Sequence, residues 1–184
     1  ENKSAEVVKM VTSLSDFFRT TLSKGHDYIT VKEERTHIES YLEIQQFRYQ
    51  DILDYEIQMD EEIYGYIIPK LTLQPLVENA LYHGIKNKRG KGKILITGKK
   101  QGDKIIFQVI DNGKGMTEEE LNSLRKKMAG TDTGDEAKGF GVSNVNQRIK
   151  YYYGEEYGVF FESKENEGTN ATIIIAAKNI QLPS

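Results

Sequence analysis

Asp111-Asn112-Gly113-Lys114-Gly115-Met116 sets the reading of the whole chain. The residues before it alternate as a strand does, so Ile105, Phe107, Val109 and Asp111 share one face. A carboxylate therefore ends an apolar row, which is costly unless hydrogen-bond donors meet it. The amino group of adenine is one suitable donor. Gly113 and Gly115 allow the backbone to turn sharply and to approach a flat ring closely. A plainer reading is open at this point: a strand-to-helix turn in which Asp111 and Asn112 make an Asx-turn.

Two further stretches flank this one. Upstream, Glu78-Asn79-Ala80-Leu81-Tyr82-His83-Gly84 is expected on a helix. Asn79 and His83 are four residues apart and share a polar stripe, with Tyr82 and Lys86 close to it, opposite Leu76, Ala80 and Leu81. A side-chain amide oxygen is a hard ligand suited to Mg²⁺ on a triphosphate; the alternative is a solvated helix face. Downstream, Gly139-Phe140-Gly141 opens a helix expected over 142–153. Glycines there bare the N–H groups of a helix start, which bind phosphate, although a flexible loop end would look the same. Asn144 and Arg148 form an i, i+4 pair on that helix, either fixing a lid or lying at the surface. In this order the three stretches describe the wall, floor and lid of a nucleotide pocket.

Composition narrows the field. The chain has 184 residues with a formal charge of −3, which disfavours nucleic acid as the main partner. It has no cysteine, which excludes disulfides, thiolate catalysis and zinc ribbons. No apolar run reaches membrane-spanning length and no signal peptide is visible. The abrupt start at Glu1, without Met, suggests a piece of a longer protein.

Val7, Val8, Val11, Leu14, Phe17, Phe18 and Leu22 recur at helical spacing, and Gly25 is expected to stop that helix. A second helix is expected from Thr30, where Thr30 and Glu33 make a capping box, to about residue 49, with Ile38, Tyr41, Leu42, Ile44 and Phe47 as its stripe. Strands are expected over 53–59, 92–98, 103–110, 159–163 and 170–177. Pro69 and Pro75 frame the helix carrying Asn79, and another helix spans 117–128 behind a Thr117/Glu120 capping box. Residues 129–138 read as a loop. Antiparallel neighbours with segregated helices indicate an α+β fold, a two-layer sandwich with a mixed, mostly antiparallel sheet, rather than a doubly wound one.

These residues resemble the ATP-binding domain of the GHKL superfamily, which includes gyrase, the Hsp90 chaperone, histidine kinases and MutL. Leu73-Gln74-Pro75-Leu76-Val77-Glu78-Asn79-Ala80 matches its N box, Asp111-x-Gly113-x-Gly115 its first glycine box, and 139–149 its second. Gly168-Thr169-Asn170-Ala171-Thr172 looks like its last turn and strand. The run Leu-Gln-Pro-Leu-Val-Glu-Asn-Ala followed by His-Gly is similar to sensor histidine kinases of the LytS/YesM type, as are 14–19 and 41–45.

The resemblance implies a Bergerat-type sandwich binding Mg-ATP. Asn79 would hold Mg²⁺, and Asp111 would read the adenine amino group. Gly113 and Gly115 would pass beneath the base, next to Met116. Gly139, Phe140, Gly141 and Val142 would border the phosphates, and Thr172 would support Asp111. Asn79, Glu78 and His83 are the candidate catalytic residues, with Glu78 unassigned in role. The catalytic Glu of gyrase-like members falls here at Pro75, which disfavours their water activation. The usual N-box Lys falls at Tyr82; Lys86, Lys88, Arg89 and Lys91 are the candidates to replace its charge. The expected division is 1–50, the end of a dimerisation and phosphoacceptor region with its connecting helix, and 51–184, the ATP-binding domain. His26 and His37 are expected to be structural or surface residues, so the acceptor His lies outside the chain. The implied setting is the cytoplasmic part of a membrane-bound bacterial sensor, homodimeric at full length, with an acceptor helix and a response regulator as partners. The alternatives are a nucleotide-gated interaction module and an anti-sigma-type serine kinase.

Overall fold

Apolar residues at every second position build the central sheet. β2 (Leu53–Met59), β4 (Gly92–Gln101), β5 (Lys104–Asp111), β6 (Gly158–Lys164) and β7 (Gly168–Ala176) lie in the order β2-β4-β5-β7-β6. The structure is a computed structural model describing residues 2–22, 27–49, 52–88, 90–130 and 140–178. β2 pairs with β4 in parallel, and every other neighbour in this sheet is antiparallel. The register aligns Gly98, Phe107, Ile173 and Val159 in one row, and Ile96, Val109, Ala171 and Phe161 in the next. The apolar members of both rows are buried and form the floor of a single core.

Among the described residues, helices cover that face. α3 (Gln74–Asn79) starts with Pro75 in its first turn, where a missing N–H costs little. It widens into a π-helical turn (Ala80–Gly84) and a 3₁₀ turn (Ile85–Asn87). α4 (Glu118–Met128) begins with the expected Thr117/Glu120 capping box. α5 spans Phe140–Tyr153. Leu76, Val77, Leu81, Leu121, Val142, Val145 and Ile149 seal these helices onto the sheet. Asn146 stitches the layer together: its Nδ2 donates to the Met128 carbonyl (3.1 Å) and its Oδ1 accepts the Val159 N–H (2.9 Å).

The leading segment packs onto this body. α1 (Asn2–Leu22) and α2 (Val31–Arg48) form a helical pair, and α2 carries the Thr30/Glu33 capping box. Ile38 and Leu42 of α2 enter the same core as Leu53. Between the helices, β1 (Tyr28–Thr30) pairs antiparallel with β3 (Ile67–Pro69). The sequence reading contains neither strand. Three residues are too few to display alternation, and each strand exists only because the other lies beside it. Gly25, His26 and most of the 129–138 loop lie outside the described residues. The α+β sandwich is as expected.

Candidate nucleotide site

The sheet register positions the site. One row beyond the core rows, Ile94, Asp111, Thr169 and Ser163 stand side by side. Asp111 thus continues the inward face at the point where the apolar row ends, and it is buried. Its Oδ1 accepts the Gly113 N–H at 2.8 Å, so the Asx-turn is real. The same carboxylate lines a cavity of about 240 Å³, so the turn and the proposed purine contact are compatible. Burial pushes the Asp111 carboxyl up to about 6, against the N–H groups of Gly113 and Thr169 and the charge of Lys88.

Two glycines in this turn have geometric causes. Gly113 lies directly on the Gly84 backbone, and a Cβ there would also stand 2.6 Å from Asp111 Oδ1. Gly115 adopts φ +64 with its α-carbon against the Lys164 carbonyl, leaving no room for a side chain. The glycine turn is therefore clamped between the π-helical turn and the β6–β7 hairpin.

Asn79 and His83 line the same cavity as Asp111, from the helical side. The widened turn between them places Gly84 against the Asp111 carboxylate. Gly115 and Met116 line the cavity as well, and the Met116 N–H donates to Ser163 Oγ (2.9 Å). Gly113 lies behind the lining, under Asp111. Val142 is buried in the core, and Gly141 packs against Pro75, whose Cβ would lie 3.3 Å from an added Cβ. Gly139 and the side chain of Phe140 lie outside what is described.

Several expected residues stand elsewhere. Thr172 does not face Asp111: it pairs with Gln108 and points to the opposite side of the sheet, bonding Gln108 Nε2 and Asn170 Oδ1. Thr169 is the threonine opposite Asp111 and in the cavity wall. Glu78 is absent from the lining and accepts from Gln74 Nε2 (2.8 Å). Lys86 lies over the rings of Tyr82 (4.7 Å) and Tyr49 (5.0 Å), away from the cavity. Lys88 donates to the Asn112 carbonyl (2.6 Å), bracing the glycine turn. Lys91 lines a separate groove between α1 and α2, and Arg89 is outside the described residues. Arg148 anchors the Lys70 and Leu71 carbonyls (3.0 and 3.4 Å), and residues 131–139 of the expected lid lie outside the described residues.

The sequence reading missed Lys114 and Glu120. Both line the cavity, 3.8 Å apart across Nζ and Oε1. Lys114 sits inside the glycine stretch itself, and Glu120 had been assigned only its capping role, which it also performs (Thr117 N–H to Oε2, 2.9 Å). Leu124, Val109, Phe161 and Ala171 supply apolar walls suited to a flat heterocycle.

Residues 69–179 match the family described as histidine kinase-, DNA gyrase B- and HSP90-like ATPases, and residues 1–53 match the histidine kinase family. The chain is 34% identical over 178 residues to the sensor histidine kinase YesM of Bacillus subtilis, spanning 97% of this chain and 29% of that protein. It is 29% identical over 179 residues to the sensor protein LytS of Staphylococcus saprophyticus, spanning 97% of this chain and 30% of that protein. The chain thus spans less than a third of these relatives. In fold it is similar to the catalytic domain of the histidine kinase ThkA, with a TM-score of 0.61 at 19% identity over 84% of this chain and 97% of that one. The histidine kinase domain from Erythrobacter litoralis EL346 aligns with a TM-score of 0.56 at 15% identity, over 92% of this chain and 74% of that one. With the cavity, the glycine turn and these matches in agreement, the chain belongs to the histidine kinase-, DNA gyrase B- and HSP90-like ATPase family.

Proposed function

We propose that the chain is the nucleotide-binding catalytic part of a sensor histidine kinase, transferring the γ-phosphoryl group of ATP to a histidine on a helix outside this chain. One observation carries the reading: Asp111 and Asn79, from opposite layers, line one cavity. In this reading Asp111 accepts from the adenine amino group, with Thr169 beside it, while Val109, Leu124 and Phe161 cover the ring. Asn79 and His83 face the triphosphate, and Lys114 supplies the cation that Lys86 does not. Among the described residues no group of three or more His, Cys, Asp or Glu could hold a metal ion. A Mg²⁺ bound through Asn79 and phosphate oxygens fits that donor set. When bound it would neutralise charge on the phosphates.

A neutral imidazole nitrogen attacks the γ-phosphorus with its own lone pair, the bond to the β-phosphate oxygen breaks, ADP leaves, and the phosphorylated ring releases its other N–H proton to solvent. No base is needed to create the nucleophile. That agrees with Pro75 at the N-box position where gyrase-like enzymes carry a carboxylate. The chain's work is therefore positioning and charge stabilisation. We further propose that the phosphoryl group passes on to an aspartate of a response regulator, and that residues 1–50 carry the end of a dimerisation region while 51–184 bind nucleotide. In the whole protein this part would serve a membrane-bound sensor from the cytoplasmic side, as a homodimer. No helix among the described residues is long and apolar enough to cross a membrane.

The test mixes this chain, γ-labelled Mg-ATP and a separately made upstream helix bearing the acceptor histidine. Label on the helix is expected, and Asn79→Ala should abolish it while leaving the chain folded. Full transfer by Asn79→Ala would refute its assignment. Tight ATP binding without transfer would favour a nucleotide-gated interaction module.

A further inference from the structure

α2 presents a polar stripe to the segment that carries the N box, and every member of it is buried. Glu34 is fully buried, and its two oxygens accept the N–H groups of Leu71 (3.0 Å) and Leu73 (2.7 Å). α3 has no side-chain cap of its own, so a carboxylate from another helix takes donors at its start. One turn on, His37 is also fully buried, with its Nε2 2.5 Å from Gln74 Oε1. Gln74 Nε2 in turn donates to Glu78 Oε1 at 2.8 Å. A carboxylate only accepts, so the Gln74 amide must turn its NH₂ to Glu78 and its oxygen to His37. His37 must then carry its proton on Nε2. Burial lowers its pKa, against the Gln74 hydrogen bond, the Phe17 backbone and the charge of Glu78. The chain of bonds has one allowed polarity.

Its other end lies on α1. The Phe17 ring stacks on the His37 imidazole, with centroids 4.7 Å apart and planes at 17°. A displacement of α1 would move Phe17, and the imidazole cannot turn without breaking its bond to Gln74. We propose that His37 and Gln74 are positioning residues that carry the placement of α1 into the Glu78–Asn79 turn at the cavity. The inference rests on Asn79 being a site residue, as read above. It gives Glu78 a role that its absence from the cavity lining otherwise leaves unfilled.

The test uses the ¹⁵N-labelled chain without nucleotide. Phe17→Leu is expected to shift the backbone amide signals of Glu78 and Asn79. In the His37→Leu background the same change should shift them by no more than about a third as much, since coupled sites are not additive. His37→Gln, which keeps an N–H at the same reach, should restore the response. Gln74→Leu breaks the chain at a half-buried position and serves if His37→Leu fails to fold. Mg-ATP affinity is the second readout: Phe17→Leu should weaken it about threefold in the parent and leave it unchanged in the Gln74→Leu background. Equal shifts in both backgrounds, no shift in either, or a His37→Gln no better than His37→Leu would overturn the proposal. Failure of the parent to bind Mg-ATP would instead strike the nucleotide reading, and the shift pattern would still decide the relay.

Discussion

At the residue scale, Asp111 is the group whose charge matters most. Its carboxyl sits at about 6 because burial outweighs the N–H groups of Gly113 and Thr169 and the charge of Lys88. Only the ionised form offers two acceptors to an adenine amino group. Binding should therefore weaken as pH falls through about 6, approaching tenfold per unit below it, whereas an Asp at its ordinary value would leave it flat to near 4. An NMR titration with adenosine, which has no phosphate to titrate, checks this; a flat response between about pH 7.5 and 5.5 would remove Asp111 from the base contact. Thr169 and Thr172 give a second comparison. Thr169→Val should weaken ATP about tenfold in isothermal titration through the loss of one half-buried hydroxyl beside Asp111. Thr172→Val, on the other sheet face, should stay within about twofold. The sequence could not separate these two threonines by pattern alone. Ile173, Ile174 and Ile175 are consecutive, so both parities of β7 look apolar and the inward face is undetermined. Only the register with β5, which puts Thr169 beside Asp111, resolves it. Asp111 itself was legible because it ends the wholly apolar row Ile105, Phe107 and Val109, while the other parity of β5 carries Lys104 and Gln108.

At the scale of elements, local chemistry was readable where it was self-contained and hidden where it was supplied from afar. The two capping boxes and the Pro75 start involve residues within one turn, and all three occur as expected. The start of α3 is held by Glu34, 39 residues from Leu73, and no spacing rule points to that contact. β1 and β3 are hidden for the same reason. The consequence of Glu34 is thermodynamic. Burial raises its carboxyl from 4.5 to about 7, against the N–H groups of the 71–73 segment and the charge of Arg148. Between those values the folded chain holds a proton that the unfolded chain has released. The free energy of unfolding therefore falls as pH climbs from about 4.5 to about 7 and is level above, a loss of about 3 kcal/mol from this one group. Asp111 acts in the same direction over a lower range, so the difference between parent and variant isolates Glu34. In urea unfolding at a series of pH values, the stability of the parent minus that of Glu34→Gln should fall by about 3 kcal/mol as pH rises from about 4.5 to about 7; a constant difference would show that the Glu34 pKa is near its ordinary value.

At the scale of the whole molecule, the two helices of the leading segment differ in what they bury. α2 gives Ile38 and Leu42 to the common core, while α1 leaves Val7, Val11, Leu14 and Phe18 exposed on one stripe, with Val8 and Leu22 alongside. The steps of four, three and four residues are those of a helix seam that packs against another helix rather than of a surface. α1 turns a different side to α2, where Phe17 meets His37 and Ser13 bonds Glu43. One helix thus has two apolar faces, one covered and one left open among the described residues. If the open face is where two copies meet in the full-length homodimer proposed above, this chain alone should self-associate weakly, because one seam of 21 residues is short for a stable helical pair. Sedimentation velocity over a concentration series should show a reversible rise in mean mass, and Leu14→Lys should weaken it at least about tenfold by placing a charge in the seam. The same substitution should leave Mg-ATP affinity within about twofold, since Leu14 is exposed and does not line the cavity. A parent chain that stays monomeric at high concentration would move the open face to a contact with the preceding part of its own protein. A Leu14→Lys that lost nucleotide affinity together with association would instead show that the α1 seam and the cavity are coupled, by a route as short as the one turn that separates Leu14 from Phe17.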